Sequence, residues 1–507
     1  MKLDILIKNV FVCDGVRNDL IKADVGIYGD KIASISMNIS PGDANKTFDG
    51  DGKLLCPGFI DAHSHSDISI LACTEATGKI SQGITTEIVG NCGLSVFPIS
   101  PKNHSHLNKL YKNYGVKIDW DTMQGYSTRL SVAKPAANIF SLCGYNTLRA
   151  AVAGYKRKKL KTPDKQEMIG KLEMEMKKGT VGLSTGFIYV PGIFADKKEL
   201  ETVFSVFSGF NKIWTTHLRS ESKFLLESLE ETFELALKTG VKKVHISHLK
   251  TAGCENWSKI HEVFRLVSMY SQMGLTITAD RYPYTESMTQ LSSFLPEPFD
   301  QIDDVTLMKM MSDPARNAEF LSKLAEKGDE IWLDRRIVNT GHCGFRRFSG
   351  ETFQKVSRAV GRRPIEIVAD LIKNDAPGTM ASSPGMNEDN MRRICRCDFV
   401  CCGTDESARP FDYSLGRSHP RGFGSMPEFF RIVKEKLGIC EAVKKMTSMP
   451  AKIFGLSKRG IIREGYFADL VLIDPDKFSS TANFANPHTP AEGVAKVWVN
   501  GKETYPS

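Results

Sequence analysis

The sequence predicts an α/β protein in which a (β/α)8 TIM-type barrel is joined to a small β-domain made from both ends of the chain. Two observations lead to this prediction. The middle of the chain alternates short apolar runs with longer helix-like stretches, which is the pattern of parallel strands joined by helices. The two ends read instead as short strands separated by turns. With 507 residues, the chain is long enough to hold both parts.

Eight apolar runs in the middle of the chain are the candidate barrel strands. Helix-like segments such as Lys198–Phe207 and Leu225–Leu237 separate them. More than a hundred residues lie between the seventh and eighth runs, which predicts a last barrel helix and an insertion on the active-site side, within about residues 285–395. The eight runs are Leu54–Ile60, Ile84–Val89, Asn138–Leu142, Val181–Leu183, Lys212–Thr215, Lys243–Ile246, Thr276–Ala279 and Asp398–Cys402.

The two ends of the chain are both rich in strand and turn signals. Gly29-Asp30 forms a tight turn between the apolar runs of Asp24–Ile35, which indicates a hairpin. Near the C-terminus, Asn500-Gly501 is a strong turn pair. Because the ends of a domain are often close in space, we expect one β-domain from residues 1–57 and 450–507, flanking a barrel of residues 58–449.

The composition argues against a nucleic-acid-binding, membrane or disulfide-rich secreted protein. The net charge is +8, from 67 basic and 59 acidic residues, and basic clusters are short, so the bias suits a small anionic substrate better than a nucleic acid. No apolar run approaches the length of a membrane span, and charges interrupt the N-terminus, so a cytoplasmic protein is expected. The twelve cysteines are scattered, without zinc-ribbon spacing, and most should be reduced and buried.

Potential metal ligands follow five of the candidate strands. An i, i+2 pair of histidines on an extended segment presents both side chains to one face, here toward the barrel axis. In a barrel the carboxyl ends of the strands meet at one mouth, so all of these side chains should converge there. Imidazole, thiolate and carboxylate together suit Zn²⁺. The candidates are His63 and His65 after the first strand, Cys92 after the second, His217 and His248 at the ends of the fifth and sixth, and Asp405 after the eighth.

This ligand set predicts hydrolysis. Zn²⁺ lowers the pKa of a bound water from ~16 to about 7 and polarises a carbonyl group. Asp405 is placed to take the proton of that water and pass it to a departing nitrogen, which predicts cleavage of an amide or a related bond. We found no convincing serine nucleophile elbow, P-loop or dinucleotide-binding fingerprint to compete with this interpretation.

Longer motifs surround these residues, and together they resemble the amidohydrolase superfamily. The Asn-Cys-Gly and Ser-Thr-Gly segments narrow the resemblance to the N-acyl-D-amino-acid deacylases (D-aminoacylases), and the similarity runs almost from end to end. The motifs include Pro57-Gly-Phe-Ile-Asp-Ala-His-Ser-His65, Gly90-Asn-Cys-Gly93, Gly182-Leu-Ser-Thr-Gly-Phe-Ile-Tyr-Val-Pro-Gly192, Thr216-His-Leu-Arg-Ser-Glu221, Ile246-Ser-His-Leu-Lys250, Tyr282-Pro-Tyr284, His419-Pro-Arg421 and Lys445-Met-Thr-Ser-Met-Pro450.

The resemblance implies a barrel with a β-sandwich domain and the hydrolysis of N-acyl-D-amino acids to a carboxylate and a free D-amino acid. It implies a tight zinc on Cys92, His217 and His248. A second, weaker metal position would be lined by His63, His65 and Asp405, with Asp405 as general acid and base. It also implies that the α-carboxylate of a small-molecule N-acyl amino acid is held by Tyr189, Lys250, Tyr282 and Arg421.

Three positions depart from the family pattern, and they leave the side-chain specificity open. Tyr145 stands where relatives often carry histidine, and Glu286 and Glu406 stand where small residues are common. Either glutamate would disfavour acidic substrates by like-charge repulsion, or would simply face solvent. Two alternatives to a linear deacylase are a cyclic-amide hydrolase of the hydantoinase or dihydroorotase kind and a non-catalytic scaffold. The oligomeric state and the number of bound metals are not indicated by the sequence.

Overall fold

The computed structural model describes residues 2–506. Its strands are, in chain order, β1 Leu3–Val12, β2 Ile21–Tyr28, β3 Lys31–Ser36, β4 Ala44–Asp49, β5 Leu54–Pro57, β6 Phe59–Asp61, β7 Ile84–Val89, β8 Asn138–Ser141, β9 Cys143–Gly144, β10 Gly182–Gly186, β11 Ile213–His217, β12 Lys243–Ile246, β13 Thr276–Arg281, β14 Glu286–Gln290, β15 Arg336–Asn339, β16 Met380–Pro384, β17 Val400–Cys402, β18 Leu470–Ile473, β19 Val494–Val499 and β20 Lys502–Tyr505. Each of the eight predicted runs overlaps an observed strand.

Helices connect and cover these strands. In chain order they are α1 Ser69–Ala72, α2 Thr77–Ile80, α3 His104–Leu110, α4 Met123–Ala133, α5 Tyr145–Ala153, α6 Thr162–Lys177, α7 Lys197–Ser208, α8 Leu225–Thr239, α9 Ile260–Gln272, α10 Asp304–Met310, α11 Pro314–Lys327, α12 Glu330–Leu333, α13 Phe353–Val360, α14 Pro364–Asp375, α15 Glu388–Arg396, α16 Arg421–Leu437, α17 Ile439–Met446 and α18 Ser448–Ile453. Within residues 2–506, no helix combines the length and apolar character that crossing a membrane would require.

Parallel strands form the centre of the protein. One sheet has the order β17-β13-β12-β11-β10-β9, and a second has the order β6-β7-β8. Only Leu142 separates β8 from β9. On the other side, the Ala62 amide donates to the Cys402 carbonyl at 3.2 Å, and Ser64 bridges in parallel to Glu406. Hydrogen bonds therefore join the first strand of this series to the last.

The helices between these strands pack through one apolar face. Helix α8 buries Leu225, Leu229, Phe233 and Ala236, which recur every three to four residues and so lie along one side. The same core contains Trp214 of β11, which is completely buried. The helices thus cover the strands from the outside. The polar side chains at the carboxyl ends of the strands face the cavity described below.

Both ends of the chain contribute to one eight-stranded sheet. Its order is β20-β19-β18-β5-β1-β2-β3, and β4 pairs with β1. The contact between the two ends is the antiparallel pairing of β18 with β5, in which Val471 faces Cys56. The β-rich termini that the sequence indicated thus share one hydrogen-bonded layer.

The segment between β13 and β17 carries its own small sheet and core. Strands β14, β16 and β15 pair antiparallel, and α10 to α14 pack beside them. A separate apolar cluster, which includes Trp332, Phe353 and Leu371, stabilises the segment. Residues from this segment reach the carboxyl ends of the central strands, where they line a cavity described below.

Candidate active site

All six predicted ligand side chains converge at the carboxyl ends of the central strands. Their potential ligand atoms form three overlapping groups, and within each group the atoms lie within 4.8 Å of one another. Five of the six residues are buried and His65 is half-buried. The groups are His63, His65 and Cys92; Cys92, His217 and His248; and His63, His248 and Asp405.

Three of these residues have backbones in the left-handed region. The φ angles are 54° at Cys92, 37° at His248 and 52° at Asp405. For a residue with a Cβ this conformation costs of the order of 1–3 kcal/mol, and it persists only where the surroundings enforce it. Each residue lies two or three positions after the end of its strand, so the strained turn places its side chain among the other potential ligands.

The Asn-Cys-Gly motif shows how one such turn is built. Asn91 donates from its side chain to the Ile88 carbonyl at 2.9 Å. Gly93 has a φ of 76°, and a Cβ at this position would lie 2.3 Å from the Asn146 side-chain oxygen. Glycine is therefore required beside Cys92 for both its conformation and its close contact.

The environment of Cys92 favours its thiolate form. Its Sγ lies 3.4 Å from His63 Nε2 and 3.5 Å from His248 Nε2. Burial alone would raise the pKa of this thiol, but His63 and His248 hold it well below its ordinary value. The thiolate is the form that binds metals. In addition, His217 Nδ1 is buried and has no hydrogen-bond partner within residues 2–506. The donor set and its unpartnered nitrogen fit a zinc ion.

Two carboxylates orient the histidine rings, and the sequence analysis identified neither. Asp280 Oδ2 lies 3.0 Å from both His63 Nδ1 and His245 Nε2, and its other oxygen accepts from the His248 amide at 2.9 Å. Glu221 Oε1 lies 2.8 Å from His248 Nδ1. A carboxylate on the far ring nitrogen fixes the ring and directs the other nitrogen toward a metal. Glu221 is the last residue of the Thr-His-Leu-Arg-Ser-Glu motif, and its place in that motif could have identified it from the sequence.

A completely buried lysine lies beneath the first and last strand ends. Lys79 Nζ is 2.7 Å from Asp61 Oδ2 and 3.3 Å from Glu87 Oε2. It also donates to Thr404 Oγ1 at 2.7 Å and to the Glu406 carbonyl at 2.8 Å. Lys79 thereby connects the strand that precedes His63 with the loop that contains Asp405.

The Asp405 carboxylate is surrounded by cations and imidazoles. Arg421 Nη1 lies 2.8 Å from Oδ2, and His65 Nε2 lies 3.1 Å from Oδ1. Burial alone would raise the pKa of Asp405, but the charges of Arg421 and His248 hold it well below its ordinary value. The carboxylate is therefore ionised, with an ion pair to Arg421 on one side and a hydrogen bond to His65 on the other.

All four predicted substrate-binding residues line one cavity of about 550 Å³ in front of the ligand groups. Two cations lie near the ring of Tyr282. The guanidinium carbon of Arg421 is 4.6 Å from the ring centroid, and Lys250 Nζ is 5.9 Å from it. The buried Tyr282 hydroxyl has no hydrogen-bond partner in the described part of the chain. Tyr189 lies apart from these three, with its ring 4.9 Å from that of His217 and its hydroxyl 3.2 Å from Thr289 Oγ1.

The three departures from the family pattern have different surroundings. Tyr145 is buried behind the cavity, with its hydroxyl bonded to Glu199, and it does not line the cavity. Glu286 also lies outside the lining and pairs with Arg336 at 3.3 Å. Only Glu406 lines the cavity, and it is buried 3.6 Å from Arg409. Tyr145 and Glu286 therefore do not line the cavity, and both glutamates are ion-paired.

Comparisons with known proteins show which family the chain is similar to. A model of the Amidohydrolase family matches residues 379–505. The chain is 30% identical to a D-aminoacylase of Alcaligenes xylosoxydans xylosoxydans, over 99% of this chain and 94% of that one. It is also 30% identical to an N-acyl-D-glutamate deacylase of the same organism, over 100% and 94% of the two chains.

A solved structure is similar over its whole length. It is the N-acyl-D-glutamate deacylase of Bordetella bronchiseptica, in complex with zinc and a phosphonate inhibitor that mimics the tetrahedral intermediate. The TM-score is 0.83 and the sequence identity is 28%, over 100% of this chain and 97% of that one. The end-to-end identity and the shared fold lead to one conclusion: this chain belongs to the N-acyl-D-amino-acid deacylase (D-aminoacylase) family of amidohydrolases.

Proposed function

We propose that this protein is a zinc-dependent hydrolase that cleaves the amide bond of N-acyl-D-amino acids and releases a carboxylate and a free D-amino acid. The observation that carries the proposal is the convergence of Cys92, His217 and His248 beside Asp405, at the end of a large cavity. Sulfur and nitrogen donors in a threefold set are typical of a catalytic zinc that keeps one position open.

Cys92, His217 and His248 would hold the tight zinc. His63, His65 and Asp405 would line a second, weaker position. When bound, zinc supplies an activated water and polarises the amide carbonyl. The carboxylates of Asp280 and Glu221 keep the imidazoles of His63 and His248 in the orientation that this binding needs.

Asp405 is the group that moves the proton. Its carboxylate takes a proton from the attacking water as the new C–O bond forms, and it delivers that proton to the amide nitrogen as the C–N bond breaks. His65 and Arg421 hold the carboxylate from two sides, so it stays aligned through both transfers. The products are the free carboxylate of the acyl group and the amino group of the amino acid.

Lys250, Tyr282 and Arg421 form the proposed clamp for the α-carboxylate of the substrate. The two cations lie 5.9 and 4.6 Å from the ring centroid of Tyr282, whose hydroxyl has no hydrogen-bond partner within residues 2–506. A planar guanidinium together with an ammonium is a strong carboxylate-binding pair. Tyr189, next to His217, borders the region where the scissile amide would lie.

We also infer that the two parallel sheets form one closed (β/α)8 barrel of residues 58–449 with an insertion within about 285–395. The continuity of β8 with β9 and the hydrogen bonds between the loops after β6 and β17 support the closure. Residues 1–57 and 450–507 would form the β-sandwich domain. A barrel explains why residues from five separate strands meet at one mouth.

The test is the release of free amino acid from matched N-acetyl-D- and N-acetyl-L-amino acids, detected with ninhydrin, with zinc-loaded protein and a chelator-treated control. We expect release from D-substrates only, and only with zinc. If no N-acetyl amino acid on the panel is hydrolysed, but hydantoins or dihydroorotate are, the result would support the cyclic-amide alternative. Inactivity on every amide by protein that retains zinc would point to a non-catalytic scaffold.

A further inference from the structure

The cavity contains one arginine that is not neutralised. Four lysine and arginine side chains line it, and three of them lie 2.6–3.6 Å from a carboxylate. The fourth, Arg335, forms no salt bridge within residues 2–506. Arg335 directly precedes β15 in the segment between β13 and β17.

Neighbouring aromatic rings hold the Arg335 side chain in place. Its guanidinium carbon lies 4.7 Å from the centroid of Phe294, which also lines the cavity, and 5.2 Å from that of Trp332. One nitrogen donates to the Ile331 carbonyl, and the buried Nε has no partner in the described chain. Because an arginine stays charged in a protein, Arg335 is a positioned cation at the cavity wall that has no carboxylate partner in the described chain.

The acidic residues of the cavity leave this charge uncompensated. Glu221, Asp405 and Glu406 each pair with another cation, at 2.6, 2.8 and 3.6 Å respectively. Asp67 and Glu255 also line the cavity, but neither lies within salt-bridge distance of Arg335. An anionic group of the substrate is therefore the complement that Arg335 lacks.

We propose that Arg335 binds a second carboxylate of the substrate, so that the enzyme prefers N-acyl-D-amino acids that carry an acidic group beyond the α-carboxylate. This inference rests on the proposed function, in which Lys250, Tyr282 and Arg421 already hold the α-carboxylate. The second carboxylate comes either from an acidic side chain or from a dicarboxylic acyl group. Both present the same planar acceptor to the guanidinium.

The experiment compares kcat/KM for matched substrates and variants. N-acetyl-D-glutamate against N-acetyl-D-glutamine tests the side chain, and N-succinyl-D-alanine against N-acetyl-D-alanine tests the acyl group. Wild-type protein should favour the acidic member of at least one pair by about 10- to 100-fold, the range expected for a hydrogen-bonded charge. Arg335→Met should abolish that preference and leave the neutral substrates nearly unchanged, while Arg335→Lys should restore part of it.

Arg347→Met is the matched control. Arg347 lies in the same segment, its guanidinium carbon is 4.7 Å from the Phe348 ring, and it is exposed outside the cavity lining. The control variant should keep the wild-type preference. Equal rates on both members of each pair in wild-type protein would overturn the inference. A loss of activity on neutral substrates in Arg335→Met would also overturn it, because the role would then be structural. Absence of hydrolysis of every D-substrate by the wild type would refute the proposed function itself.

Discussion

Replacing Lys79 by methionine tests whether one buried cation holds the two ends of the strand series together. Lys79 is completely buried, and two buried carboxylates, Asp61 and Glu87, lie within 3.3 Å of its Nζ. Removing one partner of a buried pair costs about 3–5 kcal/mol, because the charges left behind are uncompensated. Unfolding entropy is about 2.1 cal/mol/K per residue, so for this chain length, unfolding as one unit, Tm should fall by about 3–5 °C.

The assay is thermal unfolding followed by circular dichroism, with all proteins equilibrated in the same zinc-containing buffer so that metal binding contributes equally. Lys159→Met is the control, because Lys159 is 83% exposed and 3.6 Å from Asp196. Its Tm should move by less than about 1 °C. Adding Asp61→Asn to Lys79→Met should cost less than the sum of the two single changes. A Lys79→Met protein as stable as the control, or strictly additive changes, would refute the charge-compensation argument.

Three further predictions concern the site and its surroundings. Asp405→Asn should keep zinc on the tight position yet lose about 10²- to 10⁴-fold in kcat, since the proton shuttle is gone; full activity would disprove the assigned role. Cys92→Ala should lower zinc content after dialysis, measured by atomic absorption, and unchanged stoichiometry would exclude Cys92 as a tight ligand. Burial lowers the pKa of His488 to about 3. Between that value and about pH 6.5, the unfolded chain therefore binds a proton that the folded chain does not. The free energy of unfolding consequently falls as the pH drops below about 6.5. His488→Phe should remove about 2 kcal/mol of the loss between about pH 7.5 and 5; an unchanged pH dependence of Tm would contradict this.

Much of the fold and the ligand set could be predicted because both leave local patterns. A buried parallel strand is a short apolar run, and a side chain placed just after it faces the carboxyl edge of the sheet. His217 and Asp405 were identified in this way, although 188 positions separate them in the numbering. The pairing of the chain ends was likewise indicated by turn pairs and short strands.

Asp280 and Lys79 could not be found in this way. Asp280 contacts His63, which is 217 positions away in the sequence, and Lys79 contacts Thr404, which is 325 positions away. No periodicity connects such residues, because their contact depends on which strands become neighbours and in which register. A single aspartate at a strand end has many possible partners, and only the folded chain selects one.

The sequence by itself determined the chemistry of this protein: the strand series, the residues at the strand ends and the metal that such donors bind. The tertiary structure alone decided the electrostatics of the cavity. From the sequence, Glu286 and Glu406 either disfavour acidic substrates or face solvent. In the structure they pair with Arg336 and Arg409, and among the lysines and arginines that line the cavity within residues 2–506, Arg335 is the one without a salt bridge. The physical reason is that Coulomb interactions depend on distance and burial. These are set by how the segment between β13 and β17 packs over the strand ends, not by the order of residues along the chain.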